Sequence, residues 1–229
     1  MNLPLTIDTI LFDLDNTLID RDRAMKEAVR HWLEGQETVG EAKMYTALEH
    51  ILEKDNSGYA DRDRFCAWLC DEYANVRTKT IKTPREVLRD LQELAISYLQ
   101  PDAEVLETLH QLKQQYQLAI ASNGSRYIQQ KKIAQAGLGD VFLSDRIYIS
   151  ETLGQQKPDP GFYRQILETL GKRPEQCIMV GDHEVNDIEG ARHCGLHTCW
   201  INHKGSSGKP EGLMFNHMTE ARQWLRGSI

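Results

Sequence analysis

Thr9-Ile10-Leu11-Phe12-Asp13-Leu14-Asp15-Asn16-Thr17 runs four apolar residues straight into a polar cluster. A short continuous apolar run that ends in turn-forming residues suits a strand buried on both faces, as strands of parallel sheets are. The polar cluster then lies at the carboxyl end of that strand. Asp13 and Asp15 stand two apart, so on an extended chain they share one side.

Downstream of Pro101, helix and strand signals alternate. Val105, Leu106, Leu109 and Leu112 mark a helix, and Leu118-Ala119-Ile120-Ala121 a short strand. A helix over 126–136 stops at Gly137, and Ile147-Tyr148-Ile149 reads as another strand. A helix over 160–170, ended by Gly171, leads to the strand Cys177-Ile178-Met179-Val180. A helix over 188–194, stopped by Gly195, leads to Thr198-Cys199-Trp200-Ile201. Such alternation predicts an α/β fold with a doubly wound parallel sheet.

Between Arg21 and Tyr98 the texture differs. Apolar residues recur at three and four: Ala24, Ala28, Trp32; Met44, Leu48, Ile51, Leu52; Phe65, Leu69, Tyr73; Val87, Leu88, Leu91, Leu94. This is helical periodicity with polar faces between. The sequence therefore predicts a core built from 1–18 and 100–229, with an all-helical unit inserted over 19–99. Lys204-Gly205-Ser206-Ser207-Gly208-Lys209-Pro210 reads as a flexible loop.

The chain has 229 residues, 40% apolar and 27% charged. These values argue against disorder and low complexity, and the length is enough for a real core. With 34 acidic and 27 basic residues the net charge is −7, which disfavours binding to a nucleic-acid polymer. No apolar run approaches membrane-spanning length. Met1-Asn2-Leu3-Pro4-Leu5-Thr6 lacks a basic segment and a cleavage site, so no signal peptide is expected. Five cysteines, an odd number at irregular spacing, read as reduced thiols of a cytoplasmic protein.

In open parallel sheets, ligands bind beyond the carboxyl ends of the strands. Asp13 and Asp15 follow the first predicted strand, and Ser122, Asn123 and Gly124 the second. Gly181, Asp182, Asn186 and Asp187 follow the Val180 strand, while Lys157-Pro158 precedes a helix. Gathered at one edge, the carboxylates are costly unless a cation joins them. Their hard oxygens suit Mg²⁺, and Ser122 and Lys157 suit an anion beside it. The set describes a phosphoryl-transfer site.

These motifs resemble the haloacid dehalogenase (HAD) superfamily of phosphotransferases. Asp13-Leu14-Asp15-Asn16-Thr17 matches its first motif and Ser122 its second. Lys157-Pro158 matches the third, and Gly181-Asp182-His183-Glu184-Val185-Asn186-Asp187 the fourth. The four occur in order. The helical insertion resembles a C1-type cap on a Rossmannoid core. The wording of Phe12–Asp20 and Trp200-Ile201-Asn202 is similar to the subgroup of pyrimidine nucleotidases and acylneuraminate-9-phosphatase.

The resemblance implies a Mg²⁺-dependent phosphomonoester hydrolase acting on a small phosphorylated metabolite. Asp13 would be the nucleophile, forming an aspartyl-phosphate, and Asp15 the general acid and base. The metal would be held by the Asp13 carboxylate, the Asp15 backbone carbonyl and Asp182, with Asn186 and Asp187 in support. Ser122, Asn123 and Lys157 would bind phosphoryl oxygens. His183 stands where many relatives carry Ser or Thr. A phosphomutase on the same scaffold is the alternative, and a dehalogenase or a non-catalytic binding protein ranks below it because Asp13, Asp15 and Asp182 are all present.

Other residues have plainer readings. His193, Cys194, His197, Cys199 and His203 do not form a familiar zinc pattern, and Cys66 and Cys70 read as small buried residues. Arg21, Arg23, Arg62 and Arg64 are candidates for an anionic substrate but read first as solvated helix faces. Trp32, Trp68, Tyr59 and Tyr73 read as core of the helical unit.

Overall fold

The computed structural model describes residues 7–35, 40–73, 83–203, 205 and 212–220. The chain divides into two compact units, one of Met1–Ile19 with Gln100–Ile229 and the other of Asp20–Leu99. The first carries a single sheet: β1 (Thr9–Phe12), β2 (Gln117–Ser122), β3 (Ile147–Ile149), β4 (Cys177–Gly181), β5 (His197–Ile201) and β6 (Leu213–Phe215). Their order is β3-β2-β1-β4-β5-β6, and every neighbouring pair is parallel.

β1 is central and wholly buried, as its uninterrupted apolar run requires. Phe12 lies opposite Ile120 of β2 and Val180 of β4. This register brings three carboxyl ends to the same edge of the sheet. The strand order reverses between β1 and β4, the crevice where doubly wound sheets bind ligands.

The second unit holds α1 (Arg21–Glu34), α2 (Glu41–Asp55), α3 (Arg62–Tyr73) and α4 (Pro84–Ser97). Its core joins Val29 and Leu33 of α1, Ile51 of α2, Phe65 and Leu69 of α3, and Leu91 of α4. Trp32, Trp68 and Tyr73 pack against that core, while Tyr59 is 37% exposed. The start of α4 is fixed by a capping box: Glu86 N–H donates to the Thr83 hydroxyl while the Glu86 carboxylate accepts from Thr83 N–H.

The helices of the first unit are α5 (Ala103–Leu112), α6 (Arg126–Gln135), α7 (Ser150–Leu153), α8 (Pro160–Leu170) and α9 (Gly190–His193). Phe162, Tyr163, Ile166 and Leu167 of α8 pack on Leu11 and Met179, fixing one face of the sheet. α8 starts under an Asp159 cap with Pro160 in its first turn and ends at Gly171 in left-handed conformation.

Three details differ from the sequence-based expectation. The helix placed at 188–194 is a π-helical segment, Glu184–Glu189, followed by the short α9. π turns concentrate at functional sites, and this one carries Asn186 and Asp187. β6 was not foreseen: it is three residues long with no fully buried position, so it lacks an apolar run. The loop expected over 204–210 falls, apart from Gly205, outside the described residues. No helix among the described residues is long and apolar enough to cross a membrane.

Candidate active site

Asp13 is the first residue beyond β1, and its N–H donates to Val180 O at 2.8 Å, continuing the β1–β4 ladder. The next residues fold back at once. Asn16 adopts a positive φ of 58°, and Leu18 and Ile19 N–H both donate to Leu14 O. The turn holds Asp15 at the sheet edge.

Lys157 reaches the same point from the segment before α8. Its ammonium lies 2.5 Å from Asp13 Oδ1 and 2.6 Å from Asp187 Oδ1, and the side chain is nearly inaccessible. Asp187 is seated by backbone. His183 N–H donates to its Oδ2 at 3.0 Å, and Gly181 leaves room for it. A Cβ at Gly181 would lie 2.4 Å from the Asp187 carboxylate carbon.

Asp182 completes a triad. Asp13, Asp182 and Asp187 each offer a carboxylate oxygen, and the three lie within 4.8 Å of one another. Asp13 Oδ2 and Asp182 Oδ1 are buried with no hydrogen-bond partner. Three carboxylates thus face one ammonium. Burial pushes the Asp13 carboxyl up to about 7, with Lys157 opposing and Asp187 and Asp15 adding to the shift. Burial, then the charges of Asp13 and Asp187, pushes Asp182 up to about 9. Burial also works against the Lys157 charge, but the two aspartates outweigh it and hold the ammonium above its ordinary value.

Two orphaned buried oxygens and a deficit of positive charge are what a hard divalent cation satisfies, so the residues fit Mg²⁺. Among the described residues, the histidines and cysteines near β5 form no comparable cluster. Burial raises the Cys199 thiol to about 12, which leaves it inert.

The other expected residues fall as follows. Ser122 ends β2, fully buried. The Asn123 side chain pairs reciprocally with the Lys157 backbone: its Nδ2 donates to Lys157 O, and its Oδ1 accepts from Lys157 N–H, both at 2.9 Å. It braces the lysine. Lys157 itself sits on Asp13 and Asp187, having been expected on phosphoryl oxygens. Asn186 stands outside the triad. Its N–H donates to His183 Nδ1 at 3.1 Å, and its carbonyl accepts from the Tyr163 hydroxyl. His183 is therefore the cap of the π segment.

The Asp15 carboxylate is held by α6. Lys132 Nζ donates to both of its oxygens, at 2.7 and 2.8 Å, and Gln129 Nε2 donates to Oδ2 at 3.0 Å. Sequence reading missed both residues, although a polar pair at i and i+3 just after a functional strand end was a usable signal. In the helical unit, Arg21 and Arg62 are committed to Asp55, at 2.6 and 2.8 Å, which corrects their standing as substrate candidates.

An α/β protein with an aspartate cluster at the switch point of its parallel sheet is the class these features define. Residues 7–195 match the haloacid dehalogenase-like hydrolase family, and the chain belongs to that family. Glyceraldehyde 3-phosphate phosphatase of Methanopyrus kandleri is 29% identical, over 85% of this chain and 84% of its own length. Pyrimidine 5'-nucleotidase PynA of Streptococcus pneumoniae is 31% identical, over 84% and 83%. N-acylneuraminate-9-phosphatase of Rattus norvegicus is 27% identical, over 87% and 84%. These relatives are phosphatases, and the chain is an enzyme of that class. The crystal structure of HAD-hydrolase YfnB of Bacillus subtilis, bound to magnesium, covers 96% of this chain and 98% of its own, with a TM-score of 0.73 at 24% identity. That likeness speaks to the fold.

Proposed function

We propose that this protein is a Mg²⁺-dependent phosphomonoesterase acting on a small phosphorylated metabolite. The observation that carries the reading is the triad of Asp13, Asp182 and Asp187 against the Lys157 ammonium, with two buried oxygens unpartnered. Asp13, Asp182 and the Asp15 backbone carbonyl would hold the metal, with Asp187 and Asn186 in support. When bound, Mg²⁺ supplies charge neutralisation for the phosphoryl group and for the carboxylates around it.

In this reading Asp13 attacks phosphorus, and the bond from phosphorus to the ester oxygen breaks. Asp15 gives its proton to that leaving oxygen. Water then attacks the aspartyl-phosphate, its proton passes to Asp15, and the Asp13 carboxylate is released. Lys157 orients Asp13 through Oδ1, leaving Oδ2 unpartnered. Ser122, Asn123 and Lys157 face the charge carried by the equatorial oxygens.

The unit Asp20–Leu99 is assigned as the cap that selects substrate. The relatives above, which act on a triose phosphate, pyrimidine nucleotides and a sugar-acid phosphate by name, bound the class to be tested. Five unpaired cysteines fit a reducing, cytoplasmic setting.

The test is phosphate release from nucleoside monophosphates, triose and sugar phosphates and sugar-acid phosphates, with Mg²⁺ and with chelator. Turnover that requires the metal and favours one class supports the reading. Conversion of a substrate to an isomer without free phosphate would replace it with a mutase.

A further inference from the structure

α6 presents Gln129 and Lys132 on one face, three residues apart, to the edge of the sheet. Gln129 is 1% exposed, so its amide must find partners inside the protein. Its Nε2 lies 2.7 Å from Ser122 Oγ, 3.0 Å from Asp15 Oδ2 and 3.2 Å from Asn123 O. One amide group therefore touches two residues with different tasks in the proposed reaction. The N–H donated into the Ser122 oxygen occupies a lone pair there, while the hydroxyl itself donates to Asn123 O at 3.4 Å. The contact to Asp15 is reinforced by Lys132, whose ammonium straddles both carboxylate oxygens.

The packing leaves this amide little freedom. Gly124 takes a φ of 139°, and a Cβ there would lie 3.1 Å from Gln129 Cδ. The turn after β2 thus runs directly over the Gln129 side chain. α6 starts under a Ser125 cap, whose hydroxyl accepts from Ile128 N–H, so the helix start and the Ser122 strand end are built as one piece.

We infer that Gln129 and Lys132 are positioning residues, which hold the Asp15 carboxylate and the Ser122 hydroxyl in a fixed mutual relation. The inference rests on the phosphatase reading above, in which Asp15 handles the protons and Ser122 grips phosphate. Neither α6 residue touches the substrate in this scheme. They act through the placement of Asp15, where an error of about 1 Å costs on the order of 100-fold.

The test uses the full chain with Mg²⁺ and two aryl esters of the same shape, phenyl phosphate and 4-nitrophenyl phosphate. Nitrophenolate leaves without help from an acid, whereas phenolate needs the proton. With Asp15 displaced, the first half-reaction survives for the nitrophenyl ester only, and the water step slows for both. Lys132→Met and Gln129→Glu are therefore expected to lose about 10- to 100-fold in kcat on phenyl phosphate. On the nitrophenyl ester they are expected to release a burst near one equivalent of nitrophenol per site, followed by slow turnover. Lys132→Arg keeps the cation and recovers most of the rate. Gln129→Glu keeps the side-chain shape and removes the shared donor, and circular dichroism reports whether each variant is folded. Equal losses on both esters with no burst, a loss confined to KM, or no loss would overturn the inference. A wild type that releases no phosphate from either ester would instead overturn the reading beneath it.

Discussion

Each unit of this protein buries an aspartate among charges, and the two are settled in opposite directions. In the helical unit Asp55 is 1% exposed. Arg21 and Arg62 contact its two oxygens, and Gly58 N–H donates to it at 3.0 Å. Burial alone would raise its carboxyl, but Arg21 and then Arg62 outweigh burial and hold it below the ordinary range. In the sheet unit Asp13 is also buried and Asp182 half-buried with its Oδ1 sealed from water, yet there burial wins and both are raised. The difference lies in the partners. Asp55 and Asp22 share two arginines, whereas the triad has one lysine for three carboxylates. A cluster satisfied from within its own unit is structural. A cluster left short of positive charge is prepared for something it does not itself contain.

The sharpest way to break that contrast is to neutralise one aspartate on each side. Asp13→Asn is expected to lower phosphate release by at least about 10⁴-fold. Its melting temperature should hold or rise, because one of three repelling carboxylates is gone. Asp55→Asn should do the reverse, taking the buried carboxylate from both arginines at a loss of about 3 kcal/mol or more in urea unfolding. Near-normal turnover by Asp13→Asn would remove the nucleophile assignment, and an equal loss of stability in both variants would erase the distinction between the clusters.

A smaller effect sharpens it. Mg²⁺ at about a hundred times its dissociation constant should stabilise the native protein by about 2.7 kcal/mol. Asp182→Asn should lose most of that gain and Asp55→Asn should keep it. Calorimetry with and without chelator separates the two. A gain that survives Asp182→Asn would move the cation away from the triad.

The pH dependence of stability carries opposite signs in the two units. In metal-free protein, the raised carboxyls of Asp13, about 7, and Asp182, about 9, bind protons that the unfolded chain, near 3.8, does not. Their contribution therefore improves as pH falls from about 9 and worsens as it rises. Asp55 behaves inversely. Its contribution is complete above the ordinary value of 3.8 and is lost as pH falls through the lowered one. The urea midpoint in chelator should climb on acidification from about pH 9 to about pH 5 and drop below about pH 4. Asp55→Asn should shrink the acid limb, leaving what Asp8 and other lowered carboxyls contribute. A midpoint rising steadily from pH 5 to 9 would contradict the account of the triad.

Legibility in the sequence followed burial. β1, β2, β4 and β5 announce themselves as apolar runs because the sheet buries them on both faces, and Asp13 and Asp182 sit where the β1 and β4 runs stop. β6 has no such run and gave no signal. The π segment carrying Asp187 resembles an ordinary helix start, since nothing in the residue types specifies a wider turn. Gln129 and Lys132 gave only a weak signal, for another reason. A polar pair on a helix normally faces water, and only the register of α6 against β2 turns it onto Asp15. Asp55 was hidden likewise, because its arginines lie 34 residues before it and 7 after it and meet it only through packing.

Geometry and burial remain to be separated, and Asp63 does that within the helical unit. Arg85 grips it with two parallel contacts, Nε to Oδ1 and Nη2 to Oδ2, both 3.0 Å. Its carboxyl is lowered by that hydrogen-bonded arginine, as that of Asp55 is by its own. Yet the two side chains are 80% and 69% exposed, so water solvates them whether or not they meet, and salt screens what attraction is left. Asp63→Asn is accordingly expected to leave both turnover and the urea midpoint at the wild-type value. If it costs what Asp55→Asn costs, good geometry alone stabilises, and the orphaned oxygens of the triad lose their meaning as a deficit. If it costs nothing, the same chemistry matters only where water is excluded, which is the condition Asp13 shares with Asp55 and Asp63 does not.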